Sequence, residues 1–291
     1  MEHPDFGFGR GPFFAGVLSA ETLRDIEENP LGDLSRAAGL CTALEIRYDL
    51  LLSAGCPEGS LGSVAERVRS LFPKALLIGT IRLVRDGGTF PDEKALSRAK
   101  YFVRILSENV VPDYLDVEAE EFAGFVPQIE ELWKSDERRK DTAVPLLSEF
   151  PKKVLVSHHD FQKVPSEEEL EKILGVARGP EGRSPLCGGL KIACMSTSAG
   201  DFDRVYPWIR AVKRNVSPEL FSCFAMGKTG EDSRIRSLLS GANLTYCSLG
   251  RAVAPGQIPV ERAETAYREL LSQAENVESS GKTVKNGGFD L

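Results

Sequence analysis

The sequence predicts a single-domain (β/α)8 barrel, and three observations carry that prediction. Short apolar, β-branched runs alternate with longer charged segments of helical period along the chain. Eight such runs fit within roughly 270 residues, the span a closed barrel of this kind requires. No GxGxxG turn follows a strand, although a doubly wound open sheet usually carries one.

The strand-like runs are, in order, FFAGVLS from Phe13, TALEIRYDL from Thr42, ALLIGTIRL from Ala75 and DYLDVEAE from Asp113. KVLVSHHDF from Lys153, GGLKIACMS from Gly188, LFSCFAMG from Leu220 and NLTYCSLG from Asn243 complete the set. Between them, SLGSVAERVRSLF spaces leucine and valine three and four apart, as an amphipathic helix does. PDEKALSRAKYFVRILSEN opens on proline and acids, a helix-start pattern. In PSEEELEKILGVARG, Ser166 stands three residues before Glu169 as a capping box, and a glycine follows the last turn. DFDRVYPWIRAVKRN contains Pro207, so its helix should kink there or start late. PVERAETAYRELLSQAENV supplies the last helix. Residues 1–12, which include FGFGRG, are expected to be a flexible lead-in, residues 13–278 the barrel, and residues 279–291 a mobile tail.

Composition narrows the partners. Hydrophobic residues make up 42% of the 291 and charged residues 27%, as in an ordinary globular chain. The formal charge of −7 disfavours nucleic acid and anionic membrane surfaces. No apolar run nears the ~18 residues of a membrane span. The N-terminus lacks the basic-then-apolar pattern of a signal peptide. The six cysteines form no CxxC pair, which predicts buried free thiols in a reducing cytoplasm and no zinc site.

Alternate strand residues of a barrel point inward, and catalysis sits at the strands' C-terminal ends. Charges interrupt the apolar strands at such positions. Glu45, Arg47 and Asp49 share one face of strand two, and Asp116 and Glu118 one face of strand four. Strand three ends in Arg82, with Arg85 and Asp86 in the loop beyond. Strand five carries His158 and His159, two of only three histidines in the chain. Strand six carries Lys191 between Leu190 and Ile192. Each buried charge needs a partner or a function. Glu45 could pair with Arg47 or across to a neighbouring strand, and Asp116 and Glu118 could satisfy nearby arginines. Only one of the adjacent histidines can face the axis. Desolvation and nearby cations are expected to lower the Lys191 pKa and free its amine as a nucleophile. A lysine and a histidine in one pocket suggest Schiff-base chemistry with the imidazole moving protons.

The fragments LEIRYD, TIRLVRDGG, VSHHDFQKVPS, LKIACM, AMGKTGEDSRI and APGQIPV, in this order, resemble the type I 3-dehydroquinate dehydratases from strand two onward. The resemblance implies a Schiff-base Lys191 and a general acid/base His159. It implies substrate contacts from Glu45, Arg47, Arg82, Met226, Gln257 and Arg234, the last gripping a carboxylate. It further implies syn elimination of water from 3-dehydroquinate with no metal or cofactor. A homodimer is a further expectation. Two positions depart from the family pattern. Asp86 stands where a glutamate orients the histidine, and Val253 replaces a lid serine. Two other readings stay open: a relative with low activity, a regulatory role or another carboxylate substrate, and a different Schiff-base barrel enzyme such as a class I aldolase.

Overall fold

The computed structural model describes residues 12–135, 154–178 and 188–280. Its strands are β1 (Phe13–Leu18), β2 (Ala43–Arg47), β3 (Leu76–Thr80), β4 (Tyr114–Glu118), β5 (Val154–Asp160), β6 (Gly189–Met195), β7 (Leu220–Met226), β8 (Leu244–Ser248) and a short β9 (Ile258–Pro259). The first eight fall on the eight predicted runs. All pair in parallel, in the order β7-β6-β5-β4-β3-β2-β1-β8-β9. A parallel ladder that runs through consecutive strands and returns from β1 to β8 is that of a curled barrel wall. The seam between β7 and β8 has no regular ladder. Asn243 bridges it: its N–H donates to Phe221 O at 2.9 Å, and its Oδ1 accepts from Phe221 N at 2.7 Å.

The helices are α1 (Ala20–Glu28), α2 (Asp33–Leu40), α3 (Tyr48–Ser53), α4 (Leu61–Leu71), α5 (Arg98–Ile105), α6 (Ala119–Ser135), α7 (Glu167–Arg178), α8 (Tyr206–Asn215), α9 (Ser233–Leu239) and α10 (Val260–Ser280). The capping box forms at α7, with Ser166 N donating to Glu169 Oε2 at 2.7 Å and Glu169 N to Ser166 Oγ at 3.3 Å. Pro207 sits in the first turn of α8, where its missing N–H costs nothing, so the helix starts late as expected. The segment after Pro91 differs from a single helix. It begins as a 3-10 helix over Asp92–Ser97 and becomes α-helical only at Arg98. Strand two ends one residue past Ile46 and passes directly into α3, so Asp49 is helical.

The period-2 pattern divides the core in two. Outward residues such as Leu44, Ile46, Leu115, Val117, Val154 and Val156 join the layer between wall and helices. Inward residues near the strand starts, among them Phe13, Ala43, Leu76, Tyr114, Leu155 and Leu244, form an apolar plug inside the barrel. The next inward positions toward the C-terminal ends are the charged ones. The plug therefore supports a polar layer that opens at one end only.

Helix α10 runs to Ser280, two residues beyond the expected boundary. The lead-in up to residue 11 and the tail from 281 lie outside the described residues. No helix among the described residues is long and apolar enough to cross a membrane. Cys41, Cys194, Cys223 and Cys247 are buried free thiols and Cys56 is a half-buried one, while Cys187 lies outside the described residues.

Candidate active site

The polar layer floors a cavity at the C-terminal end of the barrel. Glu45, Arg47, Arg82, Asp86, His159, Lys191, Met226, Arg234, Val253 and Gln257 all line it. The structure thus brings together every site residue singled out in the sequence.

Lys191 rises from the middle of β6, level with Ser157 on β5 and Ser222 on β7. It is 5% exposed, so its chain is held by packing and only its tip meets the cavity. Nζ lies 3.0 Å from Asp116 Oδ2, 3.6 Å from Glu45 Oε1, and 4.0 Å above the centre of the Tyr246 ring. These surroundings correct the expectation that cations would crowd the lysine. The inward positions of β2 and β4 supply carboxylates, and those are its nearest charges.

Asp116 is itself heavily committed. Ser157 Oγ donates to its Oδ1 at 2.5 Å, and Arg82 NH2 approaches its Oδ2 to 2.6 Å. That approach is off the line of a good hydrogen bond, and NH2 finds no other acceptor, so the contact is an ion pair. Burial pushes the Asp116 carboxyl up, but Arg82, Lys191 and His159 outweigh it and hold the group well below the usual carboxylate range. Arg82 NH1 donates to Glu118 Oε1 at 3.0 Å and to Ser157 Oγ at 2.8 Å. Glu118 Oε2 accepts from Arg98 NH1 at 2.6 Å. Arg98 belongs to α5, outside the wall. It is fully buried and also donates to Ala95 O and Ile81 O. A chain of charges therefore runs from the helical layer through Glu118, Arg82 and Asp116 to Lys191. Burial alone would lower the Arg82 pKa; Asp116, Glu118 and Glu45 reverse that and raise it.

Glu45 makes its ion pair with neither Arg47 nor a neighbouring strand but across the barrel with Lys191, at 3.6 Å. Thr80 Oγ1 donates to Glu45 Oε1 at 2.8 Å, while Arg47 forms a bidentate pair with Asp49 at 2.9 and 2.8 Å. The turn into α3 brings Asp49 back under the guanidinium.

At the rim, β5 separates the histidines. His158 points outward, and its Nδ1 lies 2.6 Å from Glu120 Oε1 at the start of α6. His159 points inward to the cavity, half-buried, and its Nδ1 is enclosed without a hydrogen-bond partner. Burial, then the charges of Arg82 and Lys191, pull the His159 pKa well below its ordinary value, so the ring is neutral at pH 7 and ready to accept a proton. Asp86 makes no hydrogen bond to His159. Its Oδ2 is buried without a hydrogen-bond partner, and its ion-pair contact is Arg85 Nε at 3.5 Å. Burial, then the charge of Glu118, pushes the Asp86 carboxyl up to about 6.

The opposite wall holds Arg234, on α9 and 1% exposed. Its guanidinium donates only to backbone carbonyls: Gly256 O at 2.7 Å, Pro255 O at 3.2 Å and Tyr246 O at 3.3 Å. It stacks 4.1 Å from the centre of the Phe224 ring. No carboxylate pairs with it among the described residues. Desolvation lowers its pKa to about 10, a cost that an incoming anion would offset. The loop carrying these carbonyls is folded tightly onto β7. Gly256 has φ +70°, and a Cβ there would lie 2.6 Å from Gly227 O, so only glycine fits. Gln257 Oε1 accepts from Val253 N at 2.9 Å and Ala254 N at 3.3 Å, fixing the loop, and its amide nitrogen makes no hydrogen bond among the described residues. Val253 packs against the inner apolar cluster, as does Met195, the register partner of Met226.

Sequence reasoning marks Asp116 and Glu118 as unusual but leaves them out of the site. It misses Arg98, Ser157, Thr80 and Tyr246 altogether. Arg98 lies on a helix whose pattern reads as amphipathic, and Ser157 and Tyr246 are unremarkable in a strand. Only cross-strand register shows what they touch.

Comparison with known proteins gives the family and the fold. The family described as Type I 3-dehydroquinase matches residues 20–274. A 3-dehydroquinate dehydratase of Pyrobaculum aerophilum is 29% identical over 266 residues, covering 90% of this chain and 71% of that one. One from Methanosarcina acetivorans is 29% identical over 264 residues, covering 89% and 98%. Among solved structures, 3-dehydroquinate dehydratase from Geobacillus kaustophilus superposes with a TM-score of 0.66 at 21% identity, covering 90% and 91% of the two chains. The type I enzyme from Clostridium difficile, solved with covalent modified comenic acid, gives 0.67 at 20% identity, covering 90% and 93%. At these identities the structures establish the shared barrel fold.

Proposed function

The chain belongs to the type I 3-dehydroquinase family, and we propose from that premise that it removes water from 3-dehydroquinate through an imine on Lys191. The observation that carries the proposal is a buried lysine sharing one cavity with a neutral histidine and an arginine that no carboxylate pairs among the described residues. Arg234 takes the substrate carboxylate, since an unpaired guanidinium stacked on a ring suits a planar anion. Lys191 sheds a proton, with Glu45 in reach as the acceptor, and its amine attacks the ketone carbon. Loss of water from that adduct leaves an iminium. His159 takes a proton from the adjacent carbon, and the electron pair moves into the iminium to form an enamine. The pair then returns to expel the hydroxyl group one carbon further on, and His159 returns its proton to make that leaving group water. Water hydrolyses the imine, releasing 3-dehydroshikimate and restoring the lysine.

Arg47 and Arg82 add positive charge facing an acidic substrate, and the amide nitrogen of Gln257 can donate to its hydroxyl groups. The buried free thiols suit a reducing compartment, and a cytoplasmic homodimer is part of this proposal. The test is steady-state turnover of 3-dehydroquinate, followed by the ultraviolet absorbance of the enone product. Turnover that is lost in Lys191→Ala supports the reading. A folded wild type with no turnover contradicts it.

A further inference from the structure

We infer that the face of the Tyr246 ring is part of the catalytic apparatus, cradling the cationic nitrogen formed on Lys191. The inference rests on the imine chemistry proposed above and concerns a residue to which that chemistry gives no role. The Lys191 Nζ stands 4.0 Å above the ring centre, well inside the range of a cation–π contact. Tyr246 is 3% exposed, and its hydroxyl is buried without a hydrogen-bond partner among the described residues. No hydrogen bond therefore explains the ring's position. What touches it is packing, with Phe224 at a centroid distance of 6.2 Å, and the lysine.

The arrangement is doubled. Arg234 lies over Phe224 at 4.1 Å, so two neighbouring rings on β7 and β8 each carry one cation. This is the seam where the strand ladder lapses and side chains set the spacing. One ring sits under the nitrogen that bonds the ketone carbon, the other under the guanidinium that meets the carboxylate. The pair fixes the separation of the two groups that hold the substrate's ends.

The ring matters most after the imine forms. An ammonium has three N–H donors and can serve Asp116 and Glu45 together. The iminium keeps one, so at most one carboxylate remains hydrogen-bonded. The attraction of the ring's negative face depends on the charge alone and needs no N–H. Its share of the cation's stabilisation therefore rises as the iminium forms, and it falls again once the enamine has taken up the charge. A desolvated contact of this kind is worth up to about 30-fold in the population of the iminium on which turnover depends.

The test replaces Tyr246 with phenylalanine as a reference, then with 4-fluoro-, 3,5-difluoro- and 3,4,5-trifluorophenylalanine. Each fluorine weakens the negative face while nearly preserving ring shape, a change that a purely structural ring would not register. For every protein, kcat, KM, the thermal midpoint and the borohydride-trapped imine at Lys191 with 3-dehydroquinate are measured. The expected result is a stepwise fall in log kcat with fluorine number, reaching roughly 10- to 30-fold, with a parallel fall in trapped imine and a constant thermal midpoint. The same series at Phe224 should raise KM, because that ring serves Arg234. Imine trapped in the wild type together with a flat Tyr246 series overturns this inference alone. No trapped imine in the wild type overturns the proposed function, and this inference falls with it.

Discussion

The floor and the far wall of the cavity treat buried charge in opposite ways. On the floor, Arg82, Arg98, Asp116, Glu118 and Lys191 are paired at 2.6 to 3.0 Å, with Ser157 as a bridge. Along the wall and rim, among the described residues, the hydrogen bonds of Arg234 go only to backbone carbonyls, and His159 Nδ1 and Asp86 Oδ2 have no hydrogen-bond partner. Breaking a buried ion pair costs about 3–5 kcal/mol, so a saturated cluster fixes geometry. A buried group without a partner destabilises the fold unless something arrives to complete it. On the proposed reading, the floor holds Lys191 in place and the wall and rim meet the ligand.

The two histidines should break this comparison most sharply if it is wrong. His159→Ala should reduce kcat by roughly 10²–10⁴-fold, because it removes the proton carrier. His158→Ala, which loses only the contact with Glu120 outside the cavity, should lower kcat far less. The reverse ranking in steady-state kinetics would mean that β5 presents the other histidine to the substrate.

The two arginines should separate stability from binding. Arg98→Met strands one oxygen of Glu118 and should lower folding stability by about 3–5 kcal/mol in denaturant titrations. Arg234→Met strands no carboxylate but leaves the carbonyls of Gly256, Pro255 and Tyr246 without their donor, so its stability should fall by less than that of Arg98→Met. Its KM should increase on the order of 10²-fold, as expected for one lost partner of a buried charge pair. A stability loss at Arg234 equal to that at Arg98 would erase the distinction between wall and floor.

Asp86 gives the comparison a pH axis. Its pKa is raised from 3.8 to about 6 by burial and by Glu118, with Glu120 adding to the rise and Arg82 and Arg85 opposing it. The folded protein therefore holds this proton more tightly than the unfolded chain between those values. Stability should fall as pH rises through that window, and the penalty is complete above about 6. Asp86→Asn removes the penalty. It should be more stable than the wild type at pH 8 by on the order of 1–3 kcal/mol, with the gap shrinking toward pH 4. Equal stability of the two proteins at pH 8 would show that Asp86 is paired or solvated after all. The smallest effect is expected at the lid. Val253→Ser places a hydroxyl in the cavity wall and should lower KM by up to about tenfold, the worth of roughly 1.4 kcal/mol. A higher KM would show that the apolar contact of Val253 is fitted to this ligand.

Much of the floor plan is legible in the order of the amino acids. Period-2 alternation sorts the strand residues into faces, so Glu45, Arg47 and Lys191 can be placed and only one of the adjacent histidines can face the axis; the family resemblance is what selects His159 over His158. The alternation says nothing about neighbours across strands. Asp116 and Lys191 are 75 positions apart, as are Arg82 and Ser157, and only the pairing of β3, β4, β5 and β6 in one curled wall brings them together. That is why the sequence leads one to expect cations around Lys191 where carboxylates stand. Arg98 is hidden for a related reason: it opens a helix just after a 3-10 segment, and charged helical residues usually face water. Strand β9 is two residues long, too short for any periodic signal. The lid residues are legible only through family resemblance, since Val253 and Gln257 have no pattern of their own.

The central claim is that Lys191 is the nucleophile, and mass spectrometry of the borohydride-reduced complex tests it most directly. Protein incubated with 3-dehydroquinate and reduced should gain the mass of a ligand joined through a secondary amine, confined to the peptide that contains Lys191. Lys191→Ala should gain none while keeping the wild-type circular dichroism spectrum. Adduct on a different lysine, or turnover without any adduct in the wild type, would contradict the account.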